Sequence, residues 1–355
     1  MAVYWSLVLF PMLVSLAQRS RHSRRSQLLP LGVMFVVLFV FLALRETGGD
    51  YLTYVRFYEL MQDADFVDAV TLIEPLYGFL NWAAIQLDLG IYGVNAVCAL
   101  IFLGCLYRAA LKERQPFFLL TLAIPYFVIV VGMGYTRQGV AAALILLSVV
   151  LLREGRPGRA AVAILLASGF HYSALAALAL PIFAVTEHQR GLWWLVSRVV
   201  LIGVLLVSMQ FFFSERIDTY STNYIVSDRY ESGGALLRSL VTAAAAVMFF
   251  LCRRTFKAMY PDYGIWRPFA WLGLVSVPLS LVASTPVDRL GLYLIPFQLV
   301  TFSRLPMVIK GGRSFEGLKL AILAGYLAYF FVWIHLGNFA EELWLPYRWI
   351  FSDPE

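Results

Sequence analysis

Five short stretches place ionisable or hydrogen-bonding side chains where long apolar runs end or break, and chemistry is worth seeking there. An ionisable group near the centre of a bilayer costs on the order of 3 kcal/mol by insertion scales, so its presence needs a reason. In Thr47-Gly-Gly-Asp-Tyr-Leu-Thr-Tyr54, Asp50 stands at a water boundary, behind two glycines and ahead of Tyr51 and Tyr54. This suits a carboxylate held at the mouth of an outward-facing cavity, or a helix-end loop with an interfacial aromatic belt. In Ile73-Glu-Pro-Leu-Tyr-Gly-Phe79, Glu74 precedes a proline at a first helical turn. A negative charge there also favours the helix dipole, which leaves a structural role open. Gly132-Met-Gly-Tyr-Thr-Arg-Gln-Gly139 sets Arg137 and Gln138 between two apolar runs. Glycines permit close backbone approach, and a guanidinium beside an amide is equipment for binding a phosphate. Phe170-His-Tyr-Ser173 carries His171 deep into an apolar segment, as a satisfied packing residue or as a functional one. Pro286-Val-Asp-Arg-Leu-Gly-Leu-Tyr293 offers Arg289 and Tyr293, with a self-neutralised Asp288–Arg289 pair as the plain alternative.

Several familiar signals are missing. The chain has no Walker loop, no dinucleotide fingerprint and no HExxH metal site. Asp63-Ala-Asp65 formally matches the metal-binding DxD of nucleotide-sugar transferases, but three residues in an acidic loop are a weak signal. Cys98, Cys105 and Cys252 lie in or at the end of apolar runs without metal spacing and read as small buried hydrophobes. Neither a metal nor a cofactor is expected.

The elements that must position these residues follow from composition. Of 355 residues, 61% are hydrophobic and 14% charged. A soluble domain carries about a quarter charged residues and could not hide this much apolar surface at this size. Apolar runs recur at Ala2–Ala17, Leu28–Leu44, Ile91–Tyr107, Pro116–Gly132, Gln138–Leu152, Arg159–Val185 and Leu192–Phe213. They continue at Ala235–Cys252, Ile265–Ala283, Leu290–Phe302 and Leu318–Leu336. Backbone polar groups in lipid must be bonded within the segment, so such runs are helices; a barrel would show short alternating segments. The expected fold is all-α, a polytopic transmembrane helical bundle of roughly ten to twelve spans at about 20 residues each. It forms a single integral membrane domain over 1–355, with external loops at 45–74 and 214–233.

Orientation follows from lysine and arginine in short loops. The net charge of +6 comes from arginines between apolar runs, which makes it a topology signal and gives no reason to expect nucleic acid. Arg19–Arg25, Arg108–Arg114, Arg153–Arg159, Arg253–Lys257 and Arg304–Arg313 are placed inside. Both termini then lie outside. The first apolar run is read as a span, because in a signal peptide the basic residues precede the apolar stretch. With all five basic loops inside, Glu74–Leu89 cannot be a full crossing and must lie along the surface or re-enter. Arg159–Val185, interrupted by Ser-Gly-Phe-His-Tyr-Ser, is also expected to be broken. The alternative makes both full spans and puts two basic loops outside.

In this order, the motifs resemble the EpsG family of Wzy-like polysaccharide polymerases. The matching pieces are Gly49-Asp-Tyr-x-x-Tyr54, Glu74-Pro-x-x-Gly-Phe79, Arg137-Gln138 opening an Ala-rich helix, and Phe170-His-x-Ser-Ala174. The Arg289/Tyr293 segment and Trp344-Leu-Pro-Tyr347 complete the set, which covers nearly the whole chain. Each motif alone is weak, and their order and spacing carry the likeness. The resemblance implies polymerisation of undecaprenyl-diphosphate-linked oligosaccharide repeat units at the outer face of a bacterial cytoplasmic membrane. Donor and acceptor would both be lipid-linked, with a chain-length regulator or export complex as a further partner. Related membrane glycosyltransferases of the GT-C class keep an essential carboxylate where an early span meets its first external loop, and carry surface-lying helices there. Asp50 and the segments Tyr51–Met61 and Glu74–Leu89 suit that pattern by analogy of fold.

Glycosyl transfer from a lipid diphosphate needs a base for the acceptor hydroxyl and stabilisation of the leaving diphosphate. Asp50 is the first candidate base and His171 the second. Arg137 and Arg289 are the candidates for the diphosphate, Gln138 for its orientation, and Glu74 is counted with the substrate-binding residues. Tyr51, Tyr54 and Tyr293 stack on sugars or line the interface. A lipid-linked oligosaccharide flippase is the first rival, but transporters show paired half-structures with broken helices, and no such internal symmetry is visible. An O-antigen-type ligase shares the donor chemistry and is the second.

Overall fold

The computed structural model describes residues 1–17, 24–178, 234–309, 312–337 and 339–352, with the single positions 196, 199, 202 and 203. The described residues are helical and contain no strand; the one ladder contact is an isolated antiparallel bridge between Arg45 and Trp349. The chain is an all-helical membrane protein. The expected run Leu192–Phe213, apart from those single positions, lies outside the described residues. So do the expected loop at 214–233 and most of Arg19–Arg25.

The helices fall into two compact units, one of residues 1–143 with 302–355 and one of residues 144–301. The first unit opens with α1 (Ala2–Ala17) and α2 (Arg24–Ala43). Three short helices follow: α3 (Tyr51–Leu60), α4 (Phe66–Leu72) and α5 (Pro75–Gln86). Next come α6 (Gly90–Ala110), α7 (Pro116–Ala123) and a π-helical stretch, Ile124–Gly132. Helix α8 (Thr136–Arg153) carries the chain into the second unit. That unit holds α9 (Pro157–Phe170), a 3-10 segment Tyr172–Leu178, α10 (Ala235–Leu251), α11 (Arg253–Met259), α12 (Tyr263–Ser280) and α13 (Ser284–Gly291). A 3-10 turn, Leu292–Leu294, leads into α14 (Ile295–Val308), after which α15 (Gly312–Leu336) and α16 (Ala340–Trp344) belong to the first unit.

Span length sorts these elements. Among the described residues α6, α8 and Glu316–Leu336 are long and apolar enough to cross a membrane; α10 with α11 makes a fourth candidate, bent by 79°. Ala2–Ala17, Gln27–Ala43, Pro116–Gly132 and Pro157–Phe170 are shorter apolar helices. Helix α5 has 12 residues, about 18 Å at the standard rise, well short of a bilayer core. Glu74–Leu89 is therefore a short helix and not a full crossing. Helix α9 stops at Phe170 because His171 turns extended (φ −157°, ψ 116°), which breaks the Arg159–Val185 run at the interruption expected from sequence.

Local chemistry explains several ends. Proline opens α5, α7 and α9, where its missing N–H is no loss and its fixed φ suits a first turn. Asp65 caps α4 by accepting from the Asp68 amide at 2.8 Å, so half of the DxD is occupied as a helix cap. Apolar residues exposed on α1 and α2, such as Phe10, Leu13, Leu29 and Val36, mark lipid-facing flanks. The run Pro116–Val131 is buried throughout and forms the core of the first unit.

Arg304 reads from sequence as the start of a basic loop, but it lies within α14 and is buried. Its Nε and Nη2 donate to the two carboxylate oxygens of Glu113 at 2.7 and 2.6 Å. Removing one partner strips a buried charge of its ion pair, whereas removing both does not. Arg304→Met should therefore cost about 3–5 kcal/mol, and Arg304→Met with Glu113→Leu should recover much of it. Thermal unfolding in detergent measures this; a double variant no more stable than the single one would refute the pair's role.

Candidate functional site

In the first unit the polar residues gather around the loop between α2 and α3 and the start of α8. Helix α8 begins one residue before Arg137. The guanidinium Nη1 donates to Glu74 Oε2 at 2.6 Å, the Glu74 side chain being 7% exposed and that of Arg137 22%. The carboxylate is thus almost fully enclosed while the cation keeps an open side. Three aromatic rings surround Arg137: its Cζ is 5.6 Å from the Tyr54 ring centroid, 5.3 Å from Phe57 and 5.9 Å from Tyr77. Cation–π contacts of this kind hold a guanidinium in place by the attraction of the ring faces.

Tyr54 joins the cation to the acid. It is buried, and its hydroxyl donates to Asp50 Oδ2 at 3.4 Å while its ring faces Arg137. Burial pushes the Tyr54 phenol above its ordinary value, Asp50 pushes the same way and Arg137 opposes it, so the phenol remains a donor. Asp50 is itself tied to the segment leading into the arginine helix, since its amide donates to the Gly134 carbonyl at 2.9 Å. Asp50, Tyr54, Glu74 and Arg137, drawn from separate stretches of the sequence, therefore form one cluster. Gln138 is buried next to Arg137 in the chain, and Tyr51 lies with its ring 5.6 Å from the Arg45 Cζ.

Two features that sequence reasoning passes over hold this cluster. The first is Arg45, which in sequence marks only the edge of a hydrophilic stretch but is 1% exposed. It donates through Nη1 to the Thr47 carbonyl at 3.0 Å and through Nη2 to the Thr136 hydroxyl, with Asn95 Oδ1 at the limit of bonding distance. Burial lowers its guanidinium from the ordinary value, and the phenols of Tyr54, Tyr77 and Tyr51 act in the opposite sense. Its full burial, an expensive state for any cation, cannot be read from one loop arginine among many.

The second feature is the C-terminal strap. The Glu46 amide donates to the Arg348 carbonyl at 2.8 Å, that of Ile350 to Leu44 at 3.0 Å, and that of Gly48 to Leu343 at 2.8 Å. Tyr4 Oη donates to the Trp344 carbonyl at 2.7 Å and Tyr347 Oη to the Phe41 carbonyl at 2.9 Å. The Trp344 indole N–H reaches the Ile129 carbonyl at 3.2 Å, inside the π-helical stretch. A π-helix widens the backbone ladder, and Pro125 within it supplies no N–H. Gly134 leaves room for the indole ring, which a side chain there would strike.

The second unit holds the remaining predicted residues. His171 forms the break after α9, and two residues on, Ser173 Oγ lies 2.8 Å from the hydroxyl of Tyr293, so the histidine and Tyr293 segments meet. Asp288 pairs with Arg238 of α10, and Arg289 is exposed at the end of α13. Asp288 thus has a cross-helix partner that the sequence does not show.

The site thus belongs to an all-helical membrane protein that gathers an acid, a paired guanidinium and aromatic walls at one helix end. The chain matches the EpsG family model over residues 28–349 and belongs to that family of Wzy-like polysaccharide polymerases. The match reaches from α2 to the strap. No curated protein and no solved structure matches the chain. Family membership points to an exopolysaccharide-polymerase type of function, a glycosyltransferase-like activity and lipid-linked oligosaccharide substrates in general. Among the described residues, no group of three or more His, Cys, Asp or Glu is placed to hold a metal ion.

Gly48 is the hinge of the loop that carries Asp50. Its φ is +136°, and a Cβ would lie 2.8 Å from the Met133 carbonyl oxygen. Gly48→Ala should cost roughly 1–3 kcal/mol through backbone strain and lower the thermal midpoint in detergent. An unchanged midpoint would show that the loop relaxes without penalty.

Proposed function

We propose that the chain joins undecaprenyl-diphosphate-linked oligosaccharide repeat units into an extracellular or capsular polysaccharide at the outer face of a bacterial cytoplasmic membrane. In this reading both termini and the α3–α5 segment face outward, following the inward bias of the basic loops. The observation that carries it is the meeting of Asp50 and Arg137 on one tyrosine, Tyr54, with the enclosed Glu74 paired to the arginine.

The chemistry needs few parts. Asp50 removes the proton from the acceptor hydroxyl as that oxygen bonds to the anomeric carbon of the donor sugar. The bond from that carbon to the diphosphate oxygen breaks, and the electron pair leaves with the lipid diphosphate. Arg137 faces the negative charge that grows there, fixed in advance by its ion pair and its aromatic walls. A guanidinium supplies the charge compensation that other transferases take from a metal, so the reaction is metal-independent. Buried Tyr54 keeps acid and cation in register, and Gln138 orients the diphosphate. His171 is the reserve base and Arg289 the second cation.

The test uses the full chain in lipid nanodiscs with the lipid-linked repeat unit that a deletion strain accumulates. A ladder of products is expected, and EDTA should leave its rate unchanged. Loss of product with EDTA, restored by a divalent cation, would remove the metal-independent mechanism. Arg137→Ala should abolish polymer while the protein stays in the membrane. Normal long-chain polymer from a stably expressed Arg137→Ala strain would sink that assignment. Asp50→Asn should stop transfer and retain donor binding; turnover at the wild-type rate would place the base elsewhere. Intact polymer accumulating on lipid in the deletion strain would indicate a ligase, and repeat units held on the cytoplasmic side a flippase.

A further inference from the structure

Arg45 is fully buried, and none of its hydrogen-bond partners among the described residues is a carboxylate. A side chain needed only to fill space there would be apolar, because a cation with neutral partners is costly to enclose. What Arg45 holds is specific. Its Nη1 donates to the carbonyl of Thr47, three residues before Asp50. Its Nη2 donates to the hydroxyl of Thr136, the first residue of α8 and the neighbour of Arg137. The Asp50 amide to Gly134 carbonyl bond closes the same junction from the other side. The face of Tyr51 lies against the guanidinium, and the backbone of Arg45 is bridged to Trp349 of the strap. One planar fork therefore spans the two chain segments that carry the acid and the cation, a geometry that a lysine's single ammonium cannot reproduce.

We infer that Arg45 is a positioning residue for glycosyl transfer, setting the separation of Asp50 and Arg137 through the Thr136 hydroxyl. This rests on the polymerase reading of the cluster. The residue acts through others and does not touch substrate.

Thr136→Val removes the hydroxyl at nearly constant shape, and Thr136→Ser keeps it. In nanodiscs, with the purified lipid-linked repeat unit from the deletion strain, Thr136→Val should lower kcat about tenfold, as small misplacements of catalytic groups do. KM should stay within about twofold of wild type, and Thr136→Ser should restore most of the rate. Arg45→Lys should also lower kcat, and adding it to Thr136→Val should cost little more, because both cut one joint. If Arg45→Lys fails to accumulate, the Thr136 pair alone carries the test. Equal losses in Thr136→Val and Thr136→Ser, or a wild-type rate in Thr136→Val while Arg137→Ala is inactive, would overturn the inference. A wild-type rate in Arg137→Ala as well would instead bring down the polymerase reading, with this inference.

Discussion

The ion pair between Arg137 and Glu74 is the constraint around which the first unit is arranged. A guanidinium at the start of a largely buried helix needs a counter-charge, and one facing a ligand must not be neutralised on every side. The observed compromise encloses Glu74 and leaves Arg137 partly open. Pro75 starts a helix immediately after the glutamate, and the rings of Tyr54, Phe57 and Tyr77 wall in the cation. These aromatic contacts limit where the charge can go. The short helices α3 and α5 follow from that requirement, since they bring the rings and the carboxylate to the end of α8.

The strap from Leu343 to Ile350 extends the same logic to the rest of the chain. Backbone bonds from residues 44, 46 and 48 to the strap give the loop before Asp50 a fixed neighbour, which a free loop at a membrane boundary would lack. Trp344 then links that loop to the π-helical stretch through the Ile129 carbonyl. The stretch runs directly into the segment that ends at Arg137. The two ends of the chain and its buried middle thereby converge on one short region, and the family match covers most of that distance.

Legibility in the sequence tracks cost. Asp50, Glu74 and Arg137 are visible because a charge beside long apolar runs has few cheap explanations, and His171 because it interrupts one. The helical membrane class is legible from composition, and the short Glu74–Leu89 helix from charge accounting across loops. Arg45 is invisible because its burial comes from folding: in sequence it is one more arginine at a span end. Arg304 misleads for the same reason, its partner Glu113 lying far away in the chain. Hydropathy does not distinguish an α-helix from a π-helix, so the widened stretch Ile124–Gly132 carries no signal, and Thr136 looks like an ordinary first-turn residue.

The pairing of Arg137 with Glu74 raises the question of how a diphosphate could engage a cation that is already neutralised. A guanidinium presents five N–H donors in a planar fork, and the bond to Glu74 uses an N–H on Nη1. The carboxylate can therefore remain in place while a diphosphate approaches from the open side, with no need to break a 2.6 Å ion pair first. Keeping Glu74 bound also holds the guanidinium in place, so on the proposed reading no reorganisation is needed as negative charge develops on the leaving diphosphate. Interactions that strengthen as charge develops accelerate the chemical step, whereas those equally strong throughout only tighten binding. On the proposed polymerase reading, an arginine held in place by its ion pair and aromatic walls is suited to the first kind, and Glu74 serves it by fixing that position.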